Sequence, residues 1–274
     1  MNRYFYLASG ALAAGALALS QASCGNSNGG QPMGLSGHGP AFGHGLATAA
    51  WSYSGDTGPA KWAQLDPAYS ACGEGTRQSP VDLKGKIYTA ASTLEFSYLP
   101  STGSVTNNGH TFVYSPSGSN YITVEKKRYD LVEVKFHAPA EHMINGASYP
   151  LEAQMVHRAE DGALAIVTQL FASGAANPVI AGIWPAAGGP EGSVAQVNQK
   201  LDPWELLFWD KSHFSYEGSL SEPPCSELVK WYVLMGVMTA SDEQIAKLKD
   251  TFGANARPVQ PLNNRFPHFS RVKS

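Results

Sequence analysis

Glu133-Val134-Lys135-Phe136-His137-Ala138-Pro139-Ala140-Glu141 closes a run, Tyr129–His137, in which apolar and polar residues alternate until a proline stops it. Alternation is the period of a half-buried β-strand, because successive side chains point to opposite faces. Leu131, Glu133, Lys135 and His137 are thus expected on one face. The next run, Tyr149–His157, has the same texture. It places Glu152, Gln154 and Val156 on one face and turns His157 to the other.

Working outward, Tyr121–Val124 and Ala163–Phe171 also read as strands, and Val229–Met238 is nearly all apolar, as a strand buried on both faces should be. One helix is plain near the end. Ser241 caps it, Gln244 completes a capping box, Asp242 and Glu243 suit its first turn, and Gly253 ends it. A second, short helix is expected over Glu191–Leu201. The reading is a mainly β domain with peripheral helices over 49–272, without internal repeats.

The chain has 274 residues, 43% of them hydrophobic and 15% charged, with a net charge of -3. That balance supports a sizeable core, and the absence of a basic block argues against a nucleic-acid partner. Arg3 followed by the apolar run Leu7–Leu19 and small residues reads as a signal peptide over 1–23, too short to span a bilayer. No later stretch is long and apolar enough to span. Residues 24–48 are rich in Gly, Ser and Asn and read as a flexible tether, with His38 and His44 as solvated linker residues. The expected location is periplasmic or secreted. Cys24, after Gln21-Ala22-Ser23, is either a lipidated first residue that anchors the protein to a membrane or a bystander to cleavage after Ala22. In an oxidising compartment Cys72 and Cys225 are expected to pair, the alternative being two separate buried thiols.

Five further segments, in order, carry a family resemblance: Trp51-Ser-Tyr53 with Gly58-Pro-Ala-Lys-Trp62; Arg77-Gln78-Ser79-Pro80-Val81-Asp82; Asn107-Asn108-Gly109-His110-Thr111; Gly218-Ser-Leu-Ser-Glu-Pro-Pro-Cys225; and Arg257-Pro258 through Arg265. Together they resemble the α-carbonic anhydrases, bacterial exported type. The resemblance implies a large, twisted, mostly antiparallel sheet of about ten strands with a conical cleft, and it supports the Cys72–Cys225 bridge. It also implies zinc on three histidines at the cleft floor; carbonic anhydrase is the standard example of zinc lowering the pKa of bound water to about 7.

Here the chain departs from the family it resembles. Against Q-F-H-F-H-x-P-[SA]-E, His137 falls on the second zinc ligand, Lys135 on the first, and Glu133 on the glutamine that braces it. Against E-x-H-x-[VF]-H, Glu152 matches but Gln154 stands at the third ligand. An ammonium has no lone pair, and a carboxamide oxygen is a poor zinc donor beside imidazole. A salt bridge from Lys135 to Glu133 or Glu152 is expected to replace the metal as organiser of the floor, since an unpaired buried ammonium is very costly. By the same resemblance, His110 matches the proton-shuttle histidine. Glu141 matches the glutamate that orients a threonine hydroxyl, with Ser221 in that threonine's place. Val156, Ile166, Leu220 and Trp231 would form the apolar wall. His142 and His157 read as core residues.

Three functions are compatible with these residues. The first is a binding domain or pseudoenzyme without a metal cofactor, taking a small molecule or anion in the cleft, like the carbonic-anhydrase-related members that lack these histidines. The second is an active carbonic anhydrase with a non-standard zinc site of His137, Gln154, a carboxylate and water. The third is a metal-free enzyme in which a desolvated Lys135 with lowered pKa acts as base or Schiff-base nucleophile beside Glu141 and Ser221. The sequence does not fix the oligomeric state.

Overall fold

A computed structural model describes residues 50–91 and 93–271. The expected signal peptide, Cys24 and the tether lie outside the described residues. In chain order the strands are β1 (Asp82–Leu83), β2 (Tyr88–Thr89), β3 (Glu95–Ser97), β4 (Ser101–Asn107), β5 (Phe112–Pro116), β6 (Tyr121–Val124) and β7 (Lys127–His137). Then come β8 (Met143–Ile144), β9 (Leu151–Arg158), β10 (Leu164–Ser173), β11 (Val194–Leu201), β12 (His213–Ser219), β13 (Glu227–Ala240) and β14 (His268–Ser270). The α-helices are α1 (Trp62–Leu65), α2 (Ala71–Glu74), α3 (Pro178–Ile183) and α4 (Asp242–Phe252).

Twelve strands form one sheet, ordered β11-β4-β5-β7-β9-β10-β13-β12-β14-β2, with β6 also on β7 and β3 on β6. The sheet is larger than the expected ten or so. Its pairings are antiparallel except β10–β13 and β14–β2. β13, the apolar run, lies between β10 and β12, and Val229, Trp231, Tyr232, Val233 and Leu234 are all buried. Both of its edges are paired and both of its faces covered there, which is why polar alternation is missing.

α4 follows the local chemistry read from the sequence. Ser241 and Gln244 form a reciprocal capping box, and Gly253 ends the helix at φ 72°, a conformation suited to glycine. The expected helix over Glu191–Leu201 is instead the edge strand β11, paired antiparallel with β4. Val197 and Leu201 are its buried residues, and their spacing of four imitates a helical face. β4 offers an open edge, and pairing with it satisfies the backbone of this polar segment.

The main core lies on one face of the sheet. Val134 and Phe136 of β7, Ala153 and Met155 of β9, and Ala165 and Val167 of β10 all belong to it. Leu131 joins them, contrary to the expectation that it shares a face with Glu133. The β7–β9 register shifts between Leu131 and Glu133, and this bulge reverses the alternation. His157, opposite Leu131, points away from the polar face as expected, and its ring takes a 2.6 Å hydrogen bond with the Tyr98 hydroxyl. Burial pushes its pKa down to about 3, so it stays neutral.

Candidate functional site

The opposite face of β7 and β9 carries the polar groups. Register sets Lys135 across from Gln154, Glu133 across from Val156, and His137 across from Glu152. The Lys135 ammonium reaches Glu133 Oε1 at 3.3 Å and donates to the Glu222 carboxylate, which arrives on the loop after β12. All three side chains are largely buried, with 10%, 13% and 18% exposure for Lys135, Glu133 and Glu222. Burial alone would favour the neutral amine, but Glu133 and Glu222 outweigh it, and the Lys135 pKa is raised above its ordinary value. Burial likewise pushes the Glu222 carboxyl up, while the ammonium pulls it lower, and the net shift is downward. The group is thus a fixed cation. That direction is opposite to the one a general base or Schiff-base lysine needs.

Glu152, the other carboxylate expected to serve Lys135, is committed elsewhere. Its Oε2 accepts from the Glu141 and His142 backbone N–H groups, and its Oε1 lies 2.9 Å from His142 Nδ1. His142 Nε2 in turn meets the Tyr216 hydroxyl, which donates to Ser79 Oγ. Burial raises the Glu152 pKa, but His142 and the bonds it supplies overcome this and bring it to about 2.

Gln154 donates its amide N–H groups to Glu141 Oε2 at 2.7 Å and to Glu152 Oε1 at 2.9 Å. Glu141 also accepts the Arg257 backbone N–H at 2.8 Å. The bond from Ser221 to Glu141 implied by the resemblance is not made, although both residues are buried.

His137 is 1% exposed and bonds through Nδ1 to the Asn255 carbonyl at 2.7 Å. A carbonyl only accepts, so Nδ1 carries a proton, and the Glu141 carboxylate lies 3.6 Å from the same nitrogen. His137 Nε2 is buried without a hydrogen-bond partner, as is Tyr53 Oη. Asn255 is a hub that sequence reading missed. Its side chain accepts from the Ala138 N–H and donates to the His110 and Phe136 carbonyls.

His110 sits in a turn shaped by Asn108, whose side chain accepts the His110 and Thr111 backbone N–H groups. Gly109 at φ 83° allows that turn. The His110 ring stacks on Trp51 with centroids 3.6 Å apart, and Tyr53 lies edge-on to Trp51 at 5.3 Å. Burial lowers the His110 pKa against the opposing pull of Glu222 and Glu191. Val156, Ile166 and Trp231 form one cross-strand row with Glu133, and Leu220 is partly buried at the end of β12. Cys72 and Cys225 form a disulfide, which ties the Glu222 loop to α2.

The model of the eukaryotic-type carbonic anhydrase family matches residues 57–268. A carbonic anhydrase of Pectobacterium carotovorum is 35% identical over 216 residues, 78% of this chain and 88% of that protein. The structure of a hyperthermostable carbonic anhydrase from an active hydrothermal vent chimney superposes with a TM-score of 0.77 at 42% identity, covering 81% of this chain and all of that one. The α-carbonic anhydrase of Thermovibrio ammonificans, solved with the inhibitor sulfanilamide, gives 0.78 at 36% identity, with the same coverage of both chains. This chain is an α-type carbonic anhydrase family member.

The structure brings Lys135, Glu133, Glu222 and His137 to the polar face of β7 and β9, with Gln154 and Glu141 beside them. It leaves Glu152 tied to His142. Glu222, within the quoted Gly218–Cys225 segment, is the partner of Lys135 that sequence reading did not assign. Among the described residues, no group of three or more His, Cys, Asp or Glu side chains is arranged to hold a metal ion.

Proposed function

We propose that this carbonic anhydrase family member has exchanged zinc-dependent CO2 hydration for a binding role, its cleft floor organised by a fixed ammonium. The observation that carries this reading is the pairing of Lys135 with both Glu133 and Glu222. Zinc does not fit this donor set. An ammonium stabilised by two carboxylates offers no lone pair, and the Gln154 amide nitrogen faces carboxylates. His137 Nε2 is a competent donor, but one imidazole does not make a site where three protein ligands are the rule. Without a metal, nothing on this floor lowers the pKa of water. An exported location, periplasmic or secreted, accords with the Cys72–Cys225 bridge, and no described helix is long and apolar enough to cross a membrane.

The second reading, an active enzyme with a different metal site, draws on the relatives that are named carbonic anhydrases. Zinc content of the purified protein together with stopped-flow CO2 hydration separates the two. The expected result is substoichiometric zinc and hydration at the buffer rate. One zinc per chain with sulfonamide-sensitive hydration supports the second reading and removes the first. Lys135→His combined with Gln154→His is expected to regain zinc affinity, since it restores two imidazoles beside His137.

A further inference from the structure

The chain buries a second lysine, Lys211, in the short segment that leads into β12. Counted over the whole residue, Lys211 is 9% exposed and Lys135 8%, so the two are buried alike. Their surroundings are opposite. Lys135 has two carboxylates, whereas Lys211 forms no ion pair among the described residues. Its Nζ donates to the Phe208 carbonyl and lies 4.6 Å from the centre of the Trp204 ring and 6.0 Å from that of Phe96 on β3. Asp210, the adjoining carboxylate, accepts the Ser212 N–H instead. His213, whose Nδ1 bonds to the Lys211 carbonyl, has its pKa lowered by burial and adds no charge at neutral pH.

A carbonyl dipole and ring faces support an ammonium less well than a carboxylate does, so desolvation prevails at Lys211. Burial pushes its pKa down to about 8, with Asp210 opposing. A free amine with a lone pair is therefore present near neutral pH, and such an amine is a nucleophile. The surroundings also select the electrophile. An acyl donor would leave a neutral amide and CO2 an anionic carbamate, and both forfeit the attraction to the rings. A protonated imine keeps the positive charge near Trp204 and one N–H for the Phe208 carbonyl. A one- or two-carbon substituent needs no preformed cavity here, because Lys211 keeps some exposure and Trp204 beside it is exposed.

We propose that Lys211 is a covalent capture site for short-chain aldehydes, which it holds as a protonated imine. The ammonium first gives up a proton, and the free amine attacks the aldehyde carbon to form the C–N bond. The carbinolamine then expels its hydroxyl, which leaves as water with that proton. The nitrogen keeps one hydrogen and the positive charge. The net change is ammonium plus aldehyde to iminium plus water, with no redox partner. The site stands independently of the metal-free reading above.

The test is reductive trapping of the folded full chain with acetaldehyde and cyanoborohydride, read by peptide mapping, with a blocked lysine model compound in the same tube. At pH 7.5 Lys211 is expected to take the ethyl group at least about tenfold faster than the model compound, whose amine is almost wholly protonated there. Exposed Lys61 serves as a second reference within the chain. Lys135 is expected to stay unmodified. The ratio of Lys211 to the model compound should fall as pH rises to 10, because the model amine gains free base while Lys211 has little left to gain. Asp210→Asn removes the opposing charge and should raise the Lys211 rate at pH 7.5 about twofold, the effect of one screened charge. Lys211→Met should abolish the adduct on that peptide. A Lys211 rate no greater than that of the model compound, a ratio that does not change with pH, or equal labelling of Lys135 overturns the proposal. None of these outcomes bears on zinc content, which tests the metal-free reading separately.

Discussion

The Lys135 ammonium is paired with the carboxylate of Glu222, 87 residues further along the chain and on a different element. β7 thus holds the loop after β12 by charge, and the Cys72–Cys225 bridge holds the same loop covalently three residues on. Replacing Lys135 by methionine leaves two carboxylates buried without a cation. Breaking such a pair from one side costs about 3–5 kcal/mol, read as a drop in the urea midpoint. The double variant Lys135→Met with Glu222→Gln is expected to recover about 1–3 kcal/mol of that loss, since the two sites are coupled. Strict additivity would show that the pair does not organise the floor.

Acid should act on the floor through Glu152. Its folded-state pKa of about 2 lies below the ordinary 4.5, so in that window the unfolded chain binds the extra proton. Stability is therefore complete above about pH 4.5 and is lost as pH falls toward 2. His157, at about 3 against an ordinary 6.5, adds a ramp of the same sign from 6.5 downward. Thermal midpoints measured from pH 7 to pH 2 should fall in both windows. His157→Phe should remove the upper ramp specifically, even if it lowers stability throughout.

At the alkaline end the sign reverses. Lys135 titrates above its ordinary 10.5, so its contribution is whole below that value and disappears only as pH rises through the higher folded-state value. The wild-type denaturant midpoint is expected to fall as pH rises beyond 10.5, and Lys135→Met should show a shallower fall over that range.

Asn255 spans three backbone groups from the β7 end and the His110 turn, and its own carbonyl fixes the His137 tautomer. Asn255→Ala strands several buried groups at once. A loss of about 2–4 kcal/mol is expected, judged from the cost of each unsatisfied group. The His137 Nδ1 bond goes to the Asn255 backbone carbonyl, which alanine keeps, so the ring-nitrogen shift pattern of His137 should persist while stability falls.

Reduction of the Cys72–Cys225 bridge releases a constraint across a sequence separation of 153 residues. By loop-entropy arguments the cost is about 4–5 kcal/mol. Cys72→Ser with Cys225→Ser should reproduce it under non-reducing conditions, and the wild-type protein in reductant should match that variant.

Local chemistry was legible where it was local. The strand read over Tyr129–His137 and the Ser241–Gln244 capping box each involve residues within one element, so their patterns announce themselves. The bulge that turns Leu131 into the core changes no residue type, only the register, and leaves no trace in composition. β11 was hidden because Val197 and Leu201 satisfy a helical spacing as well as an edge strand's sparse burial. For Lys135, a need for a carboxylate followed from burial cost, and Glu133 was within reach on the same strand. Glu222 was passed over although the resemblance already set its neighbour Ser221 beside Glu141, because a loop residue's side-chain direction leaves no mark in the sequence. Asn255 gave no signal either, because a polar residue in a loop looks the same whether it is a hub or a spacer.

The parallel join of β10 to β13 carries a cost in time. Leu164 meets Val229, so the middle of the sheet cannot be zipped until the intervening helices, the edge strand and β12 have emerged and been set aside. Contacts this remote in sequence close slowly. The apolar flanks of β10 and β13 therefore stay open during that delay, and the nascent chain's chief hazard is sticking to its neighbours at its own centre.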